Sequence, residues 1–151
     1  MTYLYTNREA CLALVRKHVG AIVGAEEWYQ GIGVVKRGRL IAAVIYTLMS
    51  EHDITMHVAA ESGRRWLSHE FLRVAFRYPF VQLGLRRVTA FVPSTNAAAL
   101  KLNHHLGFVT EGRMRAASSD GDLIVLGMLR AECRWLGESD GKEVTQSARA
   151  A

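Results

Sequence analysis

Asn96-Ala97-Ala98-Ala99-Leu100-Lys101-Leu102-Asn103-His104-His105-Leu106-Gly107-Phe108 is a short helix by its own chemistry. Alanine, leucine and lysine are good helix formers. Ala99, Leu102 and Leu106 fall on one apolar face. Ser94 and Thr95 offer caps in front, and Asn96 either caps the helix or contacts a ligand. Gly107 ends the helix as a left-handed cap. Upstream, Arg87 to Val92 is a run of β-formers that Pro93 breaks. Downstream, Phe108 to Met114 and Leu123 to Leu129 read as two strands, joined into a hairpin by the polar turn Ala117 to Asp122.

Further out, Gly31 to Lys36, Leu40 to Met49 and Ile54 to Ala59 are three β-rich segments, expected to form an antiparallel meander. Thr6 and Glu9 make a capping-box pattern for a first helix over Asn7 to Val19. Leu67, Phe71, Val74/Ala75 and Tyr78 mark one stripe of a central helix that begins near Arg64 and stops at Pro79. The order is helix, three strands, helix, strand, short helix, two strands. It predicts an α+β fold with a mixed, largely antiparallel central sheet flanked by helices. After Trp135 large apolar residues nearly vanish, so residues 1–136 are expected to form one domain and 137–151 a flexible tail.

The chain has 151 residues, half of them apolar, which suits one core and leaves no room for a second domain. The longest apolar stretches, Leu40 to Met49 and Leu123 to Leu129, fall short of the roughly 20 residues that cross a bilayer. No membrane association is therefore expected. The first residues lack the basic start and apolar core of a secretory leader, so a cytoplasmic location is expected. Cys11 and Cys133 lack any CxxC or Cys/His spacing, and are expected to be buried free thiols rather than a zinc site or a disulfide. The formal charge is +5, with arginines at 64/65, 86/87, 113 and 115. Such a balance favours a polyanion, either a phosphate-bearing coenzyme or a nucleic acid, and Trp28 and Tyr29 are read as exposed aromatics that suit the second.

The helix quoted first, with its following Phe108-Val109-Thr110-Glu111-Gly112, resembles the N-x-x-A-x-x-L-(Y)-x-x-x-G-F segment of the GNAT acyltransferase superfamily. The element order is similar to that fold over Thr6 to Trp135. The resemblance implies acetyl-coenzyme A as cosubstrate, no metal, and acyl transfer to a primary amine by direct attack in a ternary complex. It places the pyrophosphate loop at Gly63-Arg64-Arg65-Trp66-Leu67-Ser68, which departs from the usual glycine pattern at Gly63, Trp66 and Ser68. A helix N-terminus with unpaired N–H groups, plus Arg64 and Arg65, still suits phosphate. Pantetheine is implied to dock on the strand before the central helix, through the backbone of Val58 and Ala60, and Asn96 is a further coenzyme-contact candidate.

Acyl transfer to an amine needs a neutral nucleophile and a polarised carbonyl. On a regular strand Asp53 and His57 share a face. His57 is the expected base, with Asp53 either orienting it or serving as the base itself; Glu51, His52 and Glu61 follow by proximity. The tyrosine that many GNAT members use to protonate the leaving thiolate is replaced here by Asn103. A thiol pKa near 8.5 lets the thiolate leave unprotonated. Two other readings stand beside the acetyltransferase: a GNAT-fold protein that modifies nucleic acid, as some phage-encoded members modify DNA bases, and a degenerate domain that binds coenzyme A or a partner without turnover. The acceptor loops are placed at Gly20 to Gln30 and Ala116 to Asp122, where Glu26, Glu27, Asp120 and Asp122 offer negative charge. The last strands of such domains often pair across a homodimer, which is left open here.

Overall fold

The computed structural model of the chain describes residues 2–4, 7–63 and 65–140. Its centre is β3 (Arg39–Thr47), buried without a break from Ile41 onward. A strand that is apolar on both sides needs cover on both faces. Ala42, Val44 and Tyr46 join one core cluster, while Ala43 and Ile45 join a second on the opposite face. β2 (Gln30–Lys36) and β4 (Thr55–Ala60) flank β3 in antiparallel register, as the meander predicts. β1 (Thr2–Leu4), which has no counterpart in the sequence reading, pairs with the outer edge of β2. With β5 (Arg87–Pro93), β6 (Val109–Ser118) and β7 (Gly121–Leu129) the sheet has seven strands in the order β1-β2-β3-β4-β5-β7-β6. Among the described residues only β4 and β5 run parallel, and they pair at a single position, Thr55 with Thr89.

α1 (Arg8–Val19) is capped by Asn7, whose side chain accepts from the Ala10 N–H at 3.0 Å; Thr6, the expected cap, lies outside the described residues. The helix sits low on β2 because Gly31 and Gly33 face it. A Cβ on Gly33 would stand 2.5 Å from Leu40 Cδ1 and 2.9 Å from Cys11 Sγ. That close approach buries Cys11, whereas Cys133 is only half-buried; both thiols are free.

α2 (His69–Arg77) starts five residues later than the apolar stripe predicts. Ser68 is the reason: it holds an extended backbone, φ −108° and ψ 154°, and accepts from the Phe71 N–H at 3.0 Å. Residues 65–67, ahead of that cap, remain loop. A π-helical turn, Tyr78–Gln82, accommodates Pro79 after α2. α3 (Ala97–Leu106) has Asn96 as cap, accepting from the Ala99 N–H at 3.1 Å, and Gly107 at φ +113° ends it as expected. α2 and α3 share one face of the sheet with the larger core; α1 covers β2, β3 and β4 on the other.

Packing continues past the domain boundary expected at Gly137, as far as the last described residue. Asp140 is 1% exposed and takes ion pairs from Arg73 Nε at 3.3 Å and Arg77 Nε at 3.0 Å, plus the Gly137 N–H at 2.7 Å. Burial pushes its carboxyl pKa up, but the Gly137 N–H and the two guanidiniums outweigh that and hold it below the usual range. An electrostatic clasp on α2 leaves no trace in apolar periodicity. Residues 141–151 of the expected tail lie outside the described residues.

Candidate functional site

Beyond Thr55 and Thr89, β4 and β5 part. The Ile54 carbonyl accepts from the Thr89 N–H at 2.9 Å, so the even-numbered residues of β4 point their backbone at β5. The Glu61 N–H bonds the Ile41 carbonyl at 2.8 Å, so the odd-numbered ones point at β3. Alternation then aims the N–H and C=O groups of Val58 and Ala60 into the gap, where no strand of the described residues meets them. Both positions expected to contact pantetheine thus carry the unpaired edge such a contact needs.

A cleft of about 810 Å³ runs through this gap. On the α2/α3 side its walls include Trp66, Leu67, Phe76, Asn96, Leu102 and Asn103. On the α1 side they include Val19, Val23, Leu48, Phe91, Met114 and Leu123, with His57 at the passage between. The two acceptor loops expected from the sequence both reach it, through Gly20, Ala21 and Val23 and through Ala117 to Ser119.

His57 sits on the α1 face, paired in register with Ile45. Its Nε2 lies 3.1 Å from Thr47 Oγ1, a partner on β3 that the sequence reading missed. Burial lowers the imidazole pKa to about 4, so the ring is neutral at physiological pH. Asp53 does not orient it. Four strand residues span about 13 Å. The Asp53 carboxylate accepts from the Thr89 hydroxyl at 2.8 Å and faces Arg87 Nε at 3.5 Å. That places Asp53 at the closed end of the β4–β5 pair. Glu61 is bonded to Lys17 at 3.1 Å, and Glu51 and His52 lie 3.9 Å from each other in an exposed turn.

Of the loop expected to hold pyrophosphate, Arg64 lies outside the described residues. Gly63 adopts φ +70°, a left-handed turn that suits glycine, and Arg65 is exposed. Trp66 turns inward, edge-on to Phe71 at 6.0 Å, and forms part of the cleft wall. Leu67 is exposed at the same rim. Because Ser68 occupies the Phe71 N–H, the amides of His69 and Glu70 are those left at the helix start. Asn96 caps α3, one of the two roles expected of it, and also lines the cleft. Asn103 lines the cleft too, but its Nδ2 donates to the Ala99 carbonyl at 2.8 Å, and it has no hydroxyl to offer a thiolate.

Several residues read as open to a polyanion are engaged inside the chain. Arg87 meets Glu111 at 2.8 Å and Arg113 meets Asp122 at 2.8 Å. Trp28 and Tyr29 are half-buried rather than exposed: Trp28 packs on the larger core, and Arg8 stacks over Tyr29 at 4.9 Å. Leu48, unmarked in the sequence, stands at φ +52° and is 45% exposed at the cleft. For a bulky residue that backbone costs on the order of 1–2 kcal/mol. Among the described residues no group of three or more His, Cys, Asp or Glu could hold a metal ion, and no helix is long and apolar enough to cross a membrane.

No family model matches the chain, and no curated protein does. Solved structures do. A variant of spermidine N-acetyltransferase SpeG from Vibrio cholerae aligns with TM-score 0.72 at 16% identity, over 92% of this chain and 99% of that one. An IAA acetyltransferase from Bacillus cereus aligns with TM-score 0.71 at 13% identity, over 85% and 98%. The N-acetyltransferase PseH from Campylobacter jejuni, in complex with acetyl coenzyme A, aligns with TM-score 0.55 at 15% identity over 68% of each chain. At these identities the likeness is one of architecture, and with the parted β4–β5 pair it establishes that this chain has the fold of the GNAT N-acetyltransferases.

Proposed function

We propose that the chain is an N-acetyltransferase that moves an acetyl group from acetyl-coenzyme A to a primary amine by direct attack in a ternary complex. The observation that carries this reading is the apolar cleft through the β4–β5 gap, with Val58 on its wall, His57 beside it, and the backbone of Val58 and Ala60 turned toward the gap. The solved structures of this fold include one in complex with acetyl coenzyme A and one of a spermidine N-acetyltransferase, which favours an amine acceptor.

The residues present fit the coenzyme. Val58 and Ala60 offer the edge of a strand to an extended amide chain, much as a neighbouring strand would. Gly63, Arg65 and the His69 and Glu70 amides offer a turn, a guanidinium and a helix start to phosphate. When bound, acetyl-coenzyme A supplies an activated acyl carbon. The Val58 N–H would hydrogen-bond the acyl oxygen, where one preorganised donor is worth about 10²–10³ in rate. The amine nitrogen bonds to that carbon as the carbon–sulfur bond breaks. The thiolate departs without help from Asn103.

The proton lost from nitrogen goes to His57, directly or through water. With its pKa near 4 the imidazole is a weak base, but it is neutral and ready to accept. The cleft does part of the work itself, because an apolar site lined by no carboxylate among the described residues lowers the pKa of a bound ammonium. Calorimetric titration with acetyl-coenzyme A tests the reading first, followed by amine-dependent release of free thiol. Micromolar binding and thiol release are expected; an absence of binding would overturn it.

A further inference from the structure

Resting on that reading, we infer that the acceptor is a small amine carried on an apolar body, an arylalkyl- or alkylamine, and not a polyamine. The argument begins on the α1 side of the gap, where the amine must enter. Val19, Val23, Leu48, Phe91, Met114 and Leu123 wall it, and among the described residues no carboxylate lines the cleft on either side.

Of the acids that the sequence placed near the acceptor loops, Glu26 and Glu27 are exposed and do not line the cleft, while Asp120 and Asp122 are engaged within the chain. Asp120 accepts from the Thr95 hydroxyl at 2.7 Å and the Ser118 hydroxyl at 3.1 Å, and Asp122 takes the Ala116 N–H and Arg113. Glu61, the acid nearest His18 at this mouth, is bonded to Lys17. A second ammonium entering here would lose its water without gaining a counter-ion, which is strongly unfavourable. A methylene or ring entering the same space gains contact and releases water.

Leu48 sharpens the case. It keeps an apolar side chain exposed at the cleft from a left-handed backbone, φ +52°. Its Cδ2 lies where a Cβ on Gly24 would come within 2.6 Å, so the glycine leaves room for that side chain. A costly backbone and a bare neighbour together hold an apolar group at the entrance, as a device for recognising an apolar body would.

The test measures kcat/KM by thiol release at saturating acetyl-coenzyme A for phenethylamine, hexylamine, phenylalanyl-alanine amide and spermidine. It uses the wild type, Leu48→Asp and Leu48→Asn, with acetyl-coenzyme A binding followed by calorimetry in each. Phenethylamine is expected to exceed spermidine at least 10-fold. Leu48→Asp should cut that ratio at least 10-fold, while the neutral, similarly sized Leu48→Asn cuts it less and shows that the protein folds. Spermidine turned over as well as phenethylamine, or a ratio unmoved in Leu48→Asp, would overturn the inference. So would bound acetyl-coenzyme A with no turnover of any amine. A dipeptide amide preferred 10-fold over phenethylamine would overturn it in favour of a peptide N-terminus. Failure of the wild type to bind acetyl-coenzyme A sinks the acetyltransferase reading itself and this inference with it.

Discussion

The two ends of the β4–β5 pair are built from opposite materials. At the closed end every polar group has a partner: Thr89 bonds Asp53 at 2.8 Å, Arg87 Nη2 donates to Thr89 Oγ1 at 3.1 Å, and the same guanidinium reaches Glu111 at 2.8 Å. At the open end the walls are apolar, the strand edges are unpaired, and His57 finds its partner on β3 instead. Buried backbone groups left unpaired are costly, so a sheet parts this way only where something else will meet them. The difference teaches that charge on this face serves to pin the strands together, which frees the gap to stay apolar and open to a ligand.

The sharpest way to break that comparison is to remove one backbone proton at a time. The Val58 N–H faces the gap, whereas the Ala59 N–H faces β3. Val58→Pro removes only the first, and its ring points into open space, so the fold should survive while kcat/KM falls by about 10²-fold or more. Ala59→Pro removes a ladder bond inside the sheet and should unfold the chain. Thermal denaturation and initial rates on both variants decide it. Full activity in Val58→Pro would mean that the open edge does not act on the acyl group.

His57 gives the next largest effect, read in stability rather than rate. Its pKa is about 4 in the folded chain against 6.5 as the ordinary value. As pH falls from 6.5 to 4 the unfolded chain takes up a proton that the folded one refuses, so stability falls across that window by about 3 kcal/mol. Above pH 6.5 both forms are neutral and the penalty is gone. His57→Gln removes the slope, so the variant should gain on the wild type at pH 4.5 relative to pH 7. Urea denaturation at the two pH values measures the difference, and parallel curves for both proteins would show that the imidazole is not buried neutral.

At the closed end Asp53→Ala should cost about 1–2 kcal/mol, since it leaves the Thr89 hydroxyl without its acceptor but lets Arg87 keep Glu111. For a chain of this size that is a fall of roughly 3–8 °C in Tm. kcat/KM measured well below the transition should change less than about threefold. A loss of 100-fold or more with Tm intact would instead return Asp53 to the chemistry.

What was legible in the sequence follows the same division. The strands of the meander and the capped helix at 97–106 could be read because apolar run and cap are local signals that tertiary packing only reinforces. The start of α2 was misplaced because an apolar stripe extends past the cap, and Ser68 rather than periodicity sets the first turn. Asp53 and His57 share a strand face, yet that face has two ends, and no spacing rule says where β4 meets β5. Asp140 lay hidden for another reason. A single acid held by two arginines 63 and 67 positions away has no period to detect. Leu48 was missed because a leucine at the end of an apolar strand gives no hint of a left-handed backbone.

The smallest effect is expected at Asn103, where the resemblance led to a missing acid. Its side-chain amide is tied to the Ala99 carbonyl one turn back, so it stabilises its own helix at the cleft wall. Asn103→Tyr gives up that bond and brings a hydroxyl to the wall. A thiol with pKa near 8.5 leaves as a thiolate at modest cost at neutral pH, so there is little for an acid to improve. The gain in kcat should be no more than about fivefold at pH 7, and it should vanish above about pH 9, where the departing sulfur needs no proton. The pH dependence of the variant-to-wild-type ratio separates the outcomes. A gain near 100-fold would show that departure of the thiolate limits the natural chain. A loss at every pH would show that the open end depends on the shape Asn103 gives to α3, and that the apolar wall opposite β4 tolerates less change than its lack of charge suggests.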